Sequence, residues 1–368
     1  MILNLMTQSR KIQFLLGLLF MNFTNCNTNF SQKGLKNVSD YHIGTAINLK
    51  STLADQKKLE ITKNEFNSLT SENSMKMFRL LPTENDFTWK ETDALVNFSQ
   101  KNNMRLFGHA LIWHSGTPEW VKDKLAKDSL WGEKFLKEYI TAVVSKYKGK
   151  VSGWDVINEP LETRGKELRK TEWLNAIGPS YISQALEAAH AADPNVDLFI
   201  NDFNLERDTL KLNGLLALVE KLKSQNAPLT GIGFQMHYRM DIPDSLILKC
   251  LKKAASTGLK IHLSEVDLIF NKHNDSISGG IQEYENYSAE MAQAQANKFK
   301  NLVTLYHEAV PKAQRYGITF WGFNDRDTWI KSFFKIKDWP TLFDEQLEPK
   351  KAYWGFREGL EESFMIGQ

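Results

Sequence analysis

VSGWDVINE (Val151–Glu159) is a short run rich in Val and Ile that ends on a carboxylate, and the segments flanking it decide the fold. Before it, Trp131 to Lys148 carries apolar residues at three- and four-residue steps, the spacing of one helix face. After it, Ile182 to Ala192 repeats that spacing and leads into a second β-rich run, VDLFIND (Val196 to Asp202). Working outward, the same alternation recurs. Upstream lie HIGTAIN (within Tyr41 to Lys50), FNSLTSEN (Phe66 to Asn73) and RLFGHALIW (Arg105 to Trp113). Downstream lie GIGFQMH (Gly231 to His237), KIHLSEVD (Lys260 to Asp267) and GITFWGF (Gly317 to Phe323), with helical spacing over Leu210 to Asn226, Ser245 to Ala255 and Tyr284 to Tyr316. Eight strand candidates alternating with helices imply parallel crossovers. No Gly-rich phosphate turn follows the first strand, so closure into a (β/α)₈ barrel is favoured over a doubly wound open sheet.

The chain has 368 residues, which at about 150 residues per domain would suggest two domains. A barrel of this type takes about 250 residues and exceeds 300 with insertions. No linker or low-complexity tract divides the sequence from about Lys36 onward, so a single barrel is expected over 41–368, preceded by a tail over 27–40. The 46 Lys and Arg against 44 Asp and Glu leave a formal charge of +2, which gives no reason to expect a nucleic-acid partner. At the start, Arg10-Lys11 precedes IQFLLGLLFM, a run too brief for a transmembrane span, and residues 1–26 read as a signal peptide for export. FTNC, ending on Cys26, loosely resembles a lipoprotein box, which makes lipid anchoring at Cys26 a lesser alternative to secretion or a periplasmic location. Two cysteines, Cys26 and Cys250, exclude a disulfide framework and a Cys-rich zinc site, and Cys250 reads as an inert core thiol. Neither a metal nor a cofactor is expected, and a monomer is.

In a parallel barrel the chemistry sits at the C-terminal ends of the strands. Those ends carry Glu72, Asn73 and Lys76; His109, Trp113 and His114; Trp154, Asn158 and Glu159; Asn201, Asp202 and Asn204; Gln235 and His237; Glu265 and Asp267; and Trp321, with Trp329 beyond. Two carboxylates, Glu159 and Glu265, close apolar strands three apart in the barrel, so they face one another across its mouth. A buried carboxylate without a partner is costly, so a fold that places two beside one cleft must use or satisfy them. A carboxylate pair in a Trp-lined cleft suits glycosidic bond cleavage, one acting as acid and base and the other as nucleophile. Residues two apart on a strand share a face, which pairs Gln235 with His237 and Glu265 with Asp267.

GHALIWHSGTPEW (Gly108 to Trp120), WDVINEP (Trp154 to Pro160), GIGFQMH, LSEVD (Leu263 to Asp267), FWGFNDRDTW (Phe320 to Trp329) and LFDEQLEPKKAY (Leu342 to Tyr353) occur in one order. In that ordered set the chain resembles glycoside hydrolase family 10, the retaining endo-β-1,4-xylanases, from about Tyr41 to its C-terminus. The resemblance implies xylan or xylo-oligosaccharides as substrate, Glu159 as acid/base and Glu265 as nucleophile. It also implies that His237 hydrogen-bonds the nucleophile, that Asp267 orients His237, and that Asn158 meets the 2-hydroxyl of the sugar at the cleavage point. Glu72, Asn73, Lys76 and His109 match groups that hydrogen-bond the glycone sugars; Asn204 and Gln235 are further expected substrate contacts. Trp113, Trp321 and Trp329 match the aromatic walls, and a non-proline cis peptide is implied at His109–Ala110.

Two positions depart from the family pattern: Gly116 stands where Gln is common and Phe203 where Tyr is common. Neither touches the acid, the nucleophile or His237. The nearest alternative reading is a cellulase or β-1,4-glucanase of the same barrel superfamily. A silent sugar-binding barrel would keep the Trp residues yet lose a carboxylate, and a metalloenzyme built on His109 and His114 lacks closely spaced ligands.

Overall fold

Eight parallel strands pair in a closed ring in the computed structural model, which describes residues 33–273 and 279–366. The expected signal peptide, Cys26 and residues 27–32 of the expected tail lie outside the described residues. The strands are β1 (His42–Ile47), β2 (Ser68–Ser71), β3 (Arg105–Gly108), β4 (Gly153–Asn158), β5 (Asp197–Asp202), β6 (Gly231–Phe234), β7 (Lys260–Ile269) and β8 (Arg315–Phe320). Each pairs with its sequence neighbour, and β8 closes on β1 through the register His42 to Gly317 and Thr45 to Phe320. The longer crossover helices are α1 (Gln56–Glu65), α2 (Lys90–Lys101), α3 (Ser129–Lys146), α4 (Tyr181–Ala192), α5 (Thr209–Ser224), α6 (Asp244–Ala255), α7 (Ala289–Ala309) and α8 (Lys351–Ile366).

Local chemistry sets where these helices begin. Asp55, Asp128, Asp208 and Ser288 each accept an N-terminal amide of the helix they precede, satisfying donors that have no partner within the helix. The apolar stripes then face the sheet: α5 buries Leu212, Leu215, Val219 and Leu222, and α6 buries Ile247, Leu251 and Cys250. Burial pushes the Cys250 thiol up to about 11, as befits a core residue. The strands are buried on both faces, the pattern of a parallel sheet covered by helices.

Inside the ring, Phe107, Phe199, His262 and Tyr316 fill the lower barrel, with ring centroids 4.7 Å apart for Phe107 and His262 and 4.6 Å for Phe199 and Tyr316. Small residues make room for them: a Cβ on Gly231 would stand 2.0 Å from the Phe199 ring. The barrel is therefore plugged below by side chains.

Two continuous strand readings are interrupted. RLFGHALIW is a strand only to Gly108; the chain then passes through a cis peptide at His109–Ala110 and resumes as Ile112–Trp113, which pairs with Ile157 and Asn158. GIGFQMH breaks at Met236, whose φ of 62° turns the chain before His237–Arg239 pairs with Asp267–Ile269. Trp154 does not reach the cleft. It lies in the core, 1% exposed, because its side chain points down the strand side opposite Asp155.

Candidate active site

The chain leaves the barrel top through left-handed backbone at three successive strand ends, Glu159 (φ 56°), Asn204 (φ 63°) and Met236 (φ 62°). Non-glycine residues seldom adopt this region, and it is held where the surroundings over-determine it. Glu159 N–H donates to the Asn201 carbonyl at 2.7 Å, and Arg169 Nε donates to the Glu159 carbonyl at 3.3 Å. Turned in this way, strand-end side chains converge on one cleft of about 500 Å³.

Glu72, Asn73, Lys76, His109, Trp113, Asn158, Glu159, Asn204, Gln235, His237, Glu265, Trp321 and Trp329 all line it. Asp267 does not; it is fully buried behind His237. Gln235 and His237 both face the cleft, although the turn at Met236, not strand alternation, brings His237 there.

A hydrogen-bond chain joins the two carboxylates. Gln235 Nε2 donates to Glu159 Oε1 at 3.2 Å and to Asn158 Oδ1 at 3.4 Å. Asn201 Nδ2 donates to the same Asn158 oxygen at 2.9 Å and to Glu265 Oε1 at 2.7 Å. Ser264 Oγ lies 2.7 Å from Asn201 Oδ1, and because the Glu265 carboxylate can only accept, it is the contact with Glu265 that orients the Asn201 amide. Both carboxylates are thus held by amides whose own rotamers are fixed.

Electrostatics separates them. Glu265 is buried, which opposes its charge, but the His109 and His237 rings and Lys76 outweigh burial and hold it below the ordinary glutamate range. His237 Nε2 lies 3.3 Å from Glu265 Oε2 and its Nδ1 lies 2.8 Å from Asp267 Oδ2. Burial disfavours the imidazolium, yet Asp267 and Glu265 prevail and push His237 up to about 10. At neutral pH a charged His237 therefore faces an ionised Glu265. Glu159 sits in a different setting: it is half-buried, with His114 Nε2 at 3.9 Å from Oε2 and burial lowering the His114 pKa.

The cleft walls are aromatic. His109 and Trp321 meet edge-on at 5.1 Å, and Lys76 Nζ lies 4.8 Å from the Trp113 ring centroid and 5.3 Å from that of Trp321. Burial lowers the Lys76 pKa against the pull of Glu265, Glu72 and Glu159. Gly116 packs under Trp113, where a Cβ would lie 3.0 Å from the indole.

Several cleft residues escaped the sequence reading. Asp155 Oδ2 lies 2.8 Å from His109 Nδ1 and fixes that ring; an Asp inside an apolar strand was the available signal. Asn201 stands at a strand end in the sequence, and only the fold shows its place between Asn158 and Glu265. Arg169 lines the cleft from a loop, and Phe333 and Phe334 line it from the end of the one-turn helix Trp329–Phe333, a segment too short to carry a periodic signal. His109, Asp155 and Glu265 also present ligand-type atoms within 4.8 Å of one another. His109 Nδ1 is spent on Asp155, and Glu265 Oε1 accepts from Asn201, so these atoms are already engaged in hydrogen bonds.

Comparison with known proteins agrees with this geometry. The family model described as Glycosyl hydrolase family 10 matches residues 32–359. Endo-1,4-beta-xylanase B of Paenibacillus barcinonensis is 33% identical over 323 residues, 86% of this chain and 94% of the relative. The Exoglucanase XynX of Acetivibrio thermocellus is 36% identical over 86% of this chain but 28% of its own length, and the chain likewise spans only 30% of Endo-1,4-beta-xylanase C of Paenibacillus barcinonensis. Among solved structures, GH10 from Paenibacillus barcinonensis superposes with a TM-score of 0.82 at 35% identity, covering 89% of this chain and 97% of that one. Xylanase10C from Cellvibrio japonicus, solved as a mutant in complex with xylopentaose, gives a TM-score of 0.82 at 32% identity over 90% of this chain and 70% of that one. A family model covering nearly all of the barrel, together with a closed eight-stranded ring and two strand-end glutamates, means that the chain belongs to glycosyl hydrolase family 10.

Proposed function

We propose that the protein hydrolyses β-1,4-xylosidic bonds within xylan by a retaining double displacement. The observation that carries this reading is the asymmetry of the two carboxylates. Glu265 is buried and held ionised by the His109 and His237 rings and Lys76, while Glu159 lines the same cleft from a half-buried left-handed turn. Ionised Glu265 attacks the anomeric carbon as Glu159 gives its proton to the departing glycosidic oxygen, leaving a glycosyl ester on Glu265. Glu159, now a carboxylate, takes a proton from water, which attacks the same carbon and releases Glu265. Asn158, held by Gln235 and Asn201, offers its amide to the 2-hydroxyl, a contact that tightens as the oxocarbenium-like transition state forms.

Xylan as substrate is supported by relatives named endo-1,4-beta-xylanase and by family structures holding xylopentaose and xylobiose. Export to meet a polymeric substrate is supported by the apolar run after Arg10-Lys11. The decisive experiment is incubation with a 2-fluoro-xylobioside inactivator followed by peptide mapping. Label on Glu265 is expected, and label elsewhere would overturn the assignment. Parallel assays on xylan and carboxymethylcellulose test the glucanase alternative, which higher turnover on the glucan would favour.

A further inference from the structure

The left-handed turn at Glu159 must be held by something, and the strongest candidate lies beneath the cleft. Leu161 N–H donates to Asp202 Oδ2 at 3.2 Å, two residues past Glu159. The other oxygen of Asp202 accepts the Phe203 N–H at 2.9 Å and lies 2.7 Å from Lys211 Nζ. Asp202 and Lys211 are both fully buried. Lys211 Nζ also lies 3.6 Å from the centroid of the Phe203 ring, a cleft wall, and Arg169, which holds the Glu159 carbonyl, lies 5.8 Å from the same ring. The helix that carries Lys211 touches the acid/base loop a second time, at Gly214, where a Cβ would lie 2.6 Å from Lys166 Cα.

A buried ion pair is weak evidence for stability, because desolvation offsets much of the attraction. Its geometry here gives it a different use: it joins the turn after Glu159, the Phe203 wall and α5 at one point. We propose that Lys211 is a positioning residue for general-acid catalysis, fixing through Asp202 the Leu161 amide, and with it the turn that aims Glu159. The inference rests on the acid/base reading of Glu159 given above.

The test compares kcat/KM, which reports the glycosylation step, on xylan and on 2,4-dinitrophenyl β-xylobioside, whose leaving group needs no proton. Lys211→Met is expected to lower kcat/KM on xylan by about 10- to 100-fold and on the dinitrophenyl glycoside by less than about threefold. Lys211→Met combined with Asp202→Asn strands no buried charge, and it carries the test if the single variant does not fold; the same leaving-group-specific loss is expected. Equal losses on both substrates, wild-type rates on both, or failure of both variants to fold would reduce Lys211 to a structural element and overturn the proposal. Wild-type protein that cleaves neither substrate would instead overturn the functional reading itself.

Discussion

Trp329 Nε1 donates a hydrogen bond to Asp267 Oδ2 at 2.8 Å. That oxygen also meets His237 Nδ1, so one buried carboxylate ties an aromatic cleft wall to the imidazole that faces Glu265. Asp267→Ala removes both anchors. Turnover is expected to fall by about 100-fold, the scale of a small misplacement at a reacting centre. Without Asp267, burial bears on His237 less opposed, the imidazolium is lost more readily, and the Glu265 pKa rises. The acid limb of kcat/KM against pH should therefore move to higher pH, and an unmoved limb would count against this chain of contacts.

Glu159→Ala should leave the nucleophile intact. Hydrolysis of xylan is expected to drop by about 10²- to 10⁴-fold, the usual contribution of a general acid. Labelling of Glu265 by a fluoro-glycoside with a dinitrophenyl leaving group should persist. Loss of labelling in this variant would mean that Glu159 also shapes the nucleophile.

Stability should depend on alkaline pH through His237. Its folded pKa of about 10 lies above the ordinary imidazole value of 6.5, so its contribution is complete below 6.5 and is lost as pH rises toward 10. Thermal unfolding between pH 6.5 and 10 should show a decline of a few kcal/mol that is shallower in His237→Asn. Parallel curves for the two proteins would contradict the assignment.

Gly108→Ala tests the close approach behind the cleft. An added Cβ would lie 2.0 Å from the ring of Trp154, which is buried in the core. A loss of about 1–3 kcal/mol is expected from overpacking, read as a lowered melting temperature. His109 is the next residue, so activity should fall with it. A variant as stable as wild type would show that Trp154 can repack.

Period and order carried the barrel. Each of the eight β-rich runs contains a strand, because parallel strands buried on both faces read as short apolar segments and the helices between them carry a one-sided stripe. Strand ends were harder to read. The interruptions after Gly108 and at Met236 are made by backbone turns in segments whose side chains keep the strand pattern, so hydropathy alone runs straight through them. Tyr284 to Tyr316 likewise reads as one helical stretch, whereas the helix starts after Ser288, which caps it, and stops before Pro311, with β8 beginning at Arg315.

The site divides along the same line. Sequence by itself determined which residues stand at strand ends, and so which carboxylates, amides and indoles reach the cleft, because chain order and period place every strand terminus on one face of a parallel barrel. Tertiary structure alone decided how those groups are held. Asp155 under His109, Asn201 between Asn158 and Glu265, and Lys211 under Asp202 and Phe203 each act across 8 to 64 positions of sequence, through contacts that exist only in the folded chain. Hydrogen bonds and ion pairs are set by distance in space, and no periodicity along the chain encodes them.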